Sequence, residues 1–134
     1  AFAKHWAGPY TRLTPRAPID VDPKCEDAGV YFSEDMQVFR CVFHCGCDYQ
    51  TVWSKDGVEW SRTAGPVDWC NVHYASSGAG SKEGSEIMKR RERPKWAMGL
   101  NGQPSGLFTG VVPSESHGGR SFTMYQPIGA SVTP

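Results

Sequence analysis

The sequence predicts an all-β fold built from short antiparallel strands, and three observations support this. The 134 residues include fifteen glycines, ten prolines and five tryptophans, a composition that favours strands and turns over helices. Apolar and aromatic residues occur in short runs separated by turn residues. The one helix candidate, residues 84–93 (GSEIMKRRER), is cut short by Pro94.

The first strands are predicted in the first half of the chain. Residues 37–44 (QVFRCVFH) form the clearest strand, the turn-like residues 33–36 precede it, and residues 30–32 are its expected hairpin partner. Residues 50–61 (QTVWSKDGVEWS) then predict two short aromatic strands around Asp56-Gly57, the strongest short hairpin signal in the chain.

The second half repeats this pattern after a predicted flexible loop at residues 76–84 (SSGAGSKEG). Residues 95–112 predict a strand, an Asn-Gly turn and a second strand. Residues 120–128 alternate as a last strand.

An internal repeat organises these strands. Placing Glu26 over Glu92, an offset of 92 − 26 = 66 residues, aligns EDAGVYFSEDMQVFRCVFH with ERPKWAMGLNGQPSGLFTG without a gap. Repetition of small antiparallel sheets is typical of a β-propeller, whose blades take about 40–50 residues. We therefore predict about two blades of an incomplete ring, divided as 1–24 (the end of one blade), 25–75 (one blade) and 85–134 (the last blade).

The charge balance limits the expected partners. Fourteen basic residues balance fourteen acidic ones, so we expect no general attraction to nucleic acid or anionic lipid. No apolar run approaches the roughly 20 residues that span a bilayer, and we predict no direct membrane insertion. The sequence begins Ala-Phe-Ala, so we expect either a removed leader or a piece of a longer chain.

The cysteines predict disulfides. Five are present, so at most two bridges form internally, with the connectivity open, and we expect a secreted or lumenal, oxidising compartment. A zinc site at the cluster of cysteines around His44 is not favoured, because the spacing is not that of a zinc knuckle and strand alternation sends Cys41 and His44 to opposite faces. We predict neither a metal nor a cofactor. The disulfide candidates are Cys25, Cys41, Cys45, Cys47 and Cys70.

Four motifs in this order carry a family resemblance: CEDAGVYF…FRCVFH, SKDGVEWS, RRERPK…GQPSGLFTGV and GRSFTMYQPI. Together they resemble the C-terminal half of five-bladed β-propeller proteins of the glycoside hydrolase family 43-like superfamily. The resemblance covers residues 8–128. It implies that the innermost strand of each blade lines a central funnel where carboxylates from different blades meet a sugar.

The resemblance also implies roles for two carboxylates. Glu92, in Glu-Arg-Pro, stands where the family places its acid glutamate, and Asp27 stands at the equivalent inner-strand start one blade earlier. Glycoside hydrolysis needs one protonated and one ionised carboxyl group. Ala28 stands where the family usually has proline, and the blades expected to carry the base are absent, so an enzymatic role for this chain alone is left open.

Other residues are candidates for ligand binding: Glu26, His44, Trp53, Arg91 and Arg93. Each has a structural alternative. Strand alternation places Arg91 and Arg93 on the face opposite Glu92, where they could pair with other carboxylates, and neighbouring arginines favour an ionised Glu92 rather than a general acid.

The aromatic candidates also have two interpretations. Trp53, Trp60, Trp69 and Trp96 could stack on sugar rings, or they could pack between blades. His44 could bind sugar hydroxyls or be a packed, hydrogen-bonded residue.

Three functions remain open. The first is a carbohydrate-recognising, glycoside hydrolase-like propeller. The second is a non-enzymatic structural or interaction subunit whose open blade is covered by a protein partner that completes the propeller. The third is an unrelated small secreted β-domain held by disulfides. Fold alone does not decide between them.

Overall fold

The computed structural model describes residues 1, 3–12, 19, 21–74, 84–113 and 120–128. These residues form nine strands and no helix, so no described segment is a helix long and apolar enough to span a bilayer. The strands are β1 (Glu26–Ser33), β2 (Val38–Cys45), β3 (Asp48–Ser54), β4 (Ser61–Asp68), β5 (Asn71–Tyr74), β6 (Gly84–Ile87), β7 (Arg90–Met98), β8 (Pro104–Val112) and β9 (Phe122–Pro127).

The strands form three antiparallel sheets in which neighbours in sequence pair with each other. The first sheet has the order β1-β2-β3-β4, the second is the β5-β6 hairpin, and the third has the order β7-β8-β9. This confirms the predicted all-β, antiparallel, propeller-like fold. The described part of 1–24 contains no strand, and the predicted loop at 76–84 lies outside the described residues except for Gly84, which begins β6.

The internal repeat is present in the strand register. Glu26 pairs with His44 in the first sheet, and Glu92 pairs with Gly110 in the third, so both partners are shifted by 66 residues (92 − 26 and 110 − 44). Both hairpins then have a register irregularity directly after the glutamate. The following pairs keep the offset: Gly29↔Val42 with Lys95↔Phe108, Val30↔Cys41 with Trp96↔Leu107, and Tyr31↔Arg40 with Ala97↔Gly106.

The Asp56-Gly57 turn joins β3 and β4, but β4 begins later than predicted. The Asp56 side-chain oxygen accepts the backbone N–H groups of Val58 and Glu59 at 2.8 and 2.9 Å. These contacts lower the pKa of Asp56. Because both N–H groups bind the aspartate, they are not used in a ladder with β3, and the strand starts at Ser61.

The stretch 84–93, considered for a helix that Pro94 would cut short, contains no helix. Its residues form β6 and the beginning of β7. Met88, between these strands, is buried at 1% exposure and donates its backbone N–H to Cys70 O at 2.8 Å. Tertiary contacts at Met88 and at buried Arg91 therefore override the local helical tendency.

One buried cluster lies between the first and third sheets. Val42, Trp69 and Leu107 are buried there, with Tyr49 and Trp96 packed against them. The opposite face of the first sheet carries a second cluster with residues that precede β1 packed over it. Its members are Cys41, Phe43 and Val52, covered by Ile19, Val21, Cys25, Cys45 and Trp60.

Two disulfides link the first sheet to its surroundings. Cys25 is bonded to Cys45, and Cys47 is bonded to Cys70. Cys41 is a free thiol buried in the sheet, and burial raises its pKa to about 11. Because Cys45 and Cys47 are disulfide-bonded, the cluster considered for zinc does not offer free thiolates there. The two bridges are compatible with an oxidising compartment.

Candidate functional site

A pocket of about 350 Å³ with charged lining residues lies at one end of β1, β2 and β7, next to the repeated glutamates Glu26 and Glu92. Four of the predicted site residues line it. The remaining lining residues are Arg90 at the start of β7 and residues of the segments next to these strands. The full lining is Lys24, Glu26, His44, Gly46, Cys47, Lys89, Arg90, Arg91 and Glu92.

His44 lies opposite Glu26 across the β1–β2 ladder. Its Nε2 is 3.3 Å from Glu26 Oε1, and its side chain is only 6% exposed while that of Glu26 is 68% exposed. Its Nδ1 is 3.7 Å from Asp27 Oδ2 and has no hydrogen-bond partner among the described residues. The histidine is therefore a buried polar group oriented by two carboxylates.

Asp27 and Arg93 occupy equivalent positions in the two repeats, since 93 − 27 = 66. Both adopt left-handed backbone conformations, with φ of 55° and 58°, within the register irregularities of β1 and β7. Such conformations are uncommon for residues other than glycine. Bulges and strained residues concentrate next to functional sites, where they redirect side chains.

The two irregularities bring these side chains together. Arg93 Nε lies 3.9 Å from Asp27 Oδ2, so one ion pair connects the two repeats. The same Asp27 oxygen is the one near His44. Arg93 therefore pairs with a carboxylate of the other repeat, as in the structural alternative considered for it.

Glu92 faces the pocket with a half-buried side chain, and Arg90 is its ion-pair partner at 3.9 Å between Nη2 and Oε2. Arg91 and Arg93 are the neighbours of Glu92 that the sequence predicts to bind a ligand. Arg90, whose side chain is exposed, is instead the arginine that contacts Glu92.

Arg91 is buried and connects the sheets. Its guanidinium carbon lies 3.9 Å from the centre of the Trp69 ring, and Nη1 donates to Trp69 O at 3.1 Å. Nε donates to Thr109 Oγ1 at 3.2 Å and Nη2 to Gln126 Oε1 at 2.6 Å. Burial lowers its pKa to about 10, which leaves it protonated at neutral pH.

The contacts of Arg91 correct its expected role. The alternative in which it pairs with a carboxylate does not describe these contacts, because its guanidinium nitrogens bind neutral oxygens. Its side chain forms part of the pocket wall. The guanidinium donates to three neutral oxygens and stacks on Trp69, so the residue is suited to hold the wall in place.

Trp53 does not share this site. It pairs with Arg40, whereas the pocket residue His44 pairs with Tyr49 at the other end of β3. Three other tryptophans pack in the way the packing alternative describes. Trp69 and Trp96 pack between the first and third sheets, and Trp60 packs against the outer cluster of the first sheet.

An aromatic groove of about 360 Å³ continues along β1 and β7. Tyr31 and Trp96 meet edge to face there, with ring centres 5.0 Å apart. Trp96 Nε1 donates to Gly29 O at 2.9 Å, and Lys95 Nζ donates to Ala28 O at 3.1 Å. Sequence reasoning missed Tyr31, because nothing in the local pattern shows that β1 lies beside β7.

The fold and the site together define an all-β protein with a duplicated hairpin and a charged pocket where the two copies meet. Comparison with protein-family models, with curated proteins and with solved structures found no match.

Proposed function

We propose that the chain is a carbohydrate-recognising module related to glycoside hydrolase family 43-like propellers and acting outside the cell or in a lumenal compartment. The observation that carries this proposal is the meeting of carboxylates, a histidine and arginines from equivalent strand positions of both repeats. Glu26, Asp27 and His44 come from the first copy, and Glu92 and Arg93 come from the second.

The chemistry of these groups suits a polyhydroxylated ligand. A carboxylate accepts hydrogen bonds from sugar hydroxyls, while arginine and lysine donate to their oxygens. The pocket has room for a small saccharide unit, and the neighbouring groove, which Tyr31 lines, offers an aromatic side chain to an apolar sugar face.

The same contacts favour recognition over hydrolysis by this chain alone. Glu92 has Arg90 as a partner and Asp27 has Arg93. A carboxylate paired with a cation is a good hydrogen-bond acceptor for a sugar hydroxyl. The general acid of a glycosidase must instead be protonated, so that it can donate a proton to the leaving oxygen.

The test is calorimetric titration of the chain with a panel of neutral and acidic oligosaccharides. We expect at least one to bind and Glu92→Gln to weaken that binding about tenfold or more, because a charge-assisted hydrogen bond contributes about 1.5–3 kcal/mol. Glu34→Gln, in the exposed turn after β1, is the matched control and should leave affinity unchanged. Release of reducing sugar should be absent.

Two outcomes would contradict the proposal. One is a panel in which nothing binds. The other is equal affinity of the Glu92→Gln and Glu34→Gln variants, which would place the ligand away from the charged pocket.

A second candidate function is a non-enzymatic interaction subunit. It is favoured by one observation, the exposure of large apolar side chains on the third sheet. Phe108 and Tyr125 are 44% and 46% exposed although they lie in the middle of β8 and β9.

A further inference from the structure

The walls of the charged pocket differ in charge from the chain as a whole. The chain has fourteen acidic and fourteen basic residues. The pocket lining has four basic residues and two glutamates, so its formal charge is 4 − 2 = +2 with His44 counted as neutral. A cleft whose walls carry an excess of one sign concentrates ligands of the opposite sign. The basic residues are Lys24, Lys89, Arg90 and Arg91, and the acidic ones are Glu26 and Glu92.

Both glutamates of the lining already have partners within it. Glu26 Oε1 lies 3.3 Å from His44 Nε2, and Glu92 Oε2 lies 3.9 Å from Arg90 Nη2. The second distance is that of an ion pair and is too long for a hydrogen bond, so Glu92 does not occupy the donors of Arg90. Because the Arg90 side chain is 65% exposed, its guanidinium can also donate to a ligand in the pocket.

Arg91 brings a positive charge that no carboxylate balances among the described residues. Its three hydrogen-bond acceptors, Trp69 O, Thr109 Oγ1 and Gln126 Oε1, are all neutral. The residue is 5% exposed and forms part of the pocket wall. Few water molecules can reach a guanidinium buried to this extent, so its field is weakly screened. That field favours an anion in the adjoining pocket.

Lys24 supplies a cation on the opposite side of the pocket. Glu92 and the two arginines belong to β7, whereas Lys24 lies just before β1 of the first sheet. Its backbone N–H donates to Asp22 Oδ1 at 2.9 Å, and the next residue, Cys25, is bonded to Cys45 at the end of β2. These two contacts hold the Lys24 backbone beside the pocket. Within the part of the chain that the structure describes, no carboxylate forms an ion pair with its ammonium group.

We propose that the charged pocket binds an acidic sugar unit, with sugar hydroxyls donating to Glu92 and the anionic group lying at Lys24. The inference rests on the proposed carbohydrate recognition and adds the class of sugar. The anionic group is a carboxylate, as in a hexuronic acid, or a sulfate ester. Both accept charge-assisted hydrogen bonds from lysine and arginine. A neutral sugar would leave the charges of Lys24 and Arg91 without a counter-charge.

The experiment is calorimetric titration of the whole chain with two matched pairs of trisaccharides. One pair is a hexuronate and the same trisaccharide with its carboxyl groups methyl-esterified, and the other is a sulfated hexose trisaccharide and its unsulfated parent. We expect at least one acidic member to bind about tenfold or more tightly than its neutral counterpart. The pair that shows the preference identifies the anionic group. Added salt should reduce the preference while leaving neutral binding unchanged.

A charge reversal at Lys24 tests where the anionic group lies. Lys24→Glu removes an attraction and adds a repulsion, so it should weaken binding of the acidic sugar about fivefold or more. Binding of the neutral counterpart should change by less than about twofold. Lys55→Glu is the matched control, because Lys55 follows Ser54 at the end of β3 away from the residue that pairs with His44. Both lysines are exposed, and circular dichroism confirms that each variant is folded.

The outcomes separate this inference from the proposed function. Equal affinity for acidic and neutral members of both pairs, with Glu92→Gln still weakening binding, would overturn the acidic class and leave carbohydrate recognition in place. Equal losses in Lys24→Glu and Lys55→Glu would also overturn it, since they indicate a general attraction between charges rather than a site. If no saccharide binds, the inference and the proposed function both fail.

Discussion

Replacing Gly29 by alanine tests the contact on which the packing of the two repeats depends. The added Cβ would lie 2.6 Å from Pro94 O, whereas ordinary contact begins at 3.4 Å, so β1 and β7 would have to separate by about 3.4 − 2.6 = 0.8 Å. The opposing atom is backbone and cannot rotate away. The hydrogen bond from Trp96 Nε1 to Gly29 O, now 2.9 Å, would lengthen at the same time.

The expected cost combines these effects. Overpacking of this kind costs about 1–3 kcal/mol, and a weakened hydrogen bond adds about 0.5–1.5 kcal/mol. The lower entropy of the unfolded alanine variant offsets about 0.4–1 kcal/mol. We therefore expect Gly29→Ala to lower the free energy of unfolding by about 2–3 kcal/mol.

Urea denaturation followed by tryptophan fluorescence is the assay, because Trp69 and Trp96 report on the space between the sheets. With a slope in the usual range, the midpoint should fall by about 1–2 M. Gly84→Ala is the matched control, since a Cβ there meets nothing within 4 Å, and it should be neutral or slightly stabilising. Equal midpoints for the two variants would refute the reasoning.

Two further predictions concern buried groups. Arg91→Lys should lower the free energy of unfolding by about 2–4 kcal/mol in the same assay, because lysine cannot both stack on Trp69 and make the separate hydrogen bonds of a guanidinium. Arg90→Lys, at an exposed side chain, is the control and should change the stability little. Equal losses of stability in the two variants would contradict the role given to Arg91. The Cys41 thiol should resist alkylation in the folded chain and react on unfolding. Its folded pKa is raised from 9.0 to about 11, so the folded state holds the proton more tightly and stability should decline as pH rises from about 9 to 11. Cys41→Ala should reduce that decline, and an unchanged pH profile would count against it.

Local sequence patterns were sufficient for much of the fold. Alternation and turn residues predicted β1–β3 and β7–β9, although β1 and β7 begin at Glu26 and Arg90 rather than at the predicted residues 30 and 95, and the gapless repeat predicted a hairpin register that both copies share. The patterns placed the start of β4 too early and missed β5 and β6. β4 contains Gly65 and Pro66, residues that are uncommon in strands and so argue against a strand prediction. Because β4 is an edge strand, it tolerates the proline. β5 and β6 are only four residues each.

The candidate site was predicted in part. Glu26, His44 and Glu92 do line one pocket, because equivalent strand positions meet where the repeats adjoin. Trp53 does not line this pocket, because it lies at the end of β3 away from the residue that pairs with His44. Only the register of β2 and β3 shows this separation.

The sequence by itself determined the all-β class, the repeat and the residue types available at the pocket, since these follow from periodicity, turn chemistry and spacing along the chain. Only the tertiary structure decided which cysteines pair, that Arg91 is buried on Trp69, and that Asp27 meets Arg93. Asp27 and Arg93 are 66 residues apart, and their left-handed conformations and the close approach at Gly29 exist because two sheets pack together. Such contacts depend on non-local packing, which no short window of sequence contains.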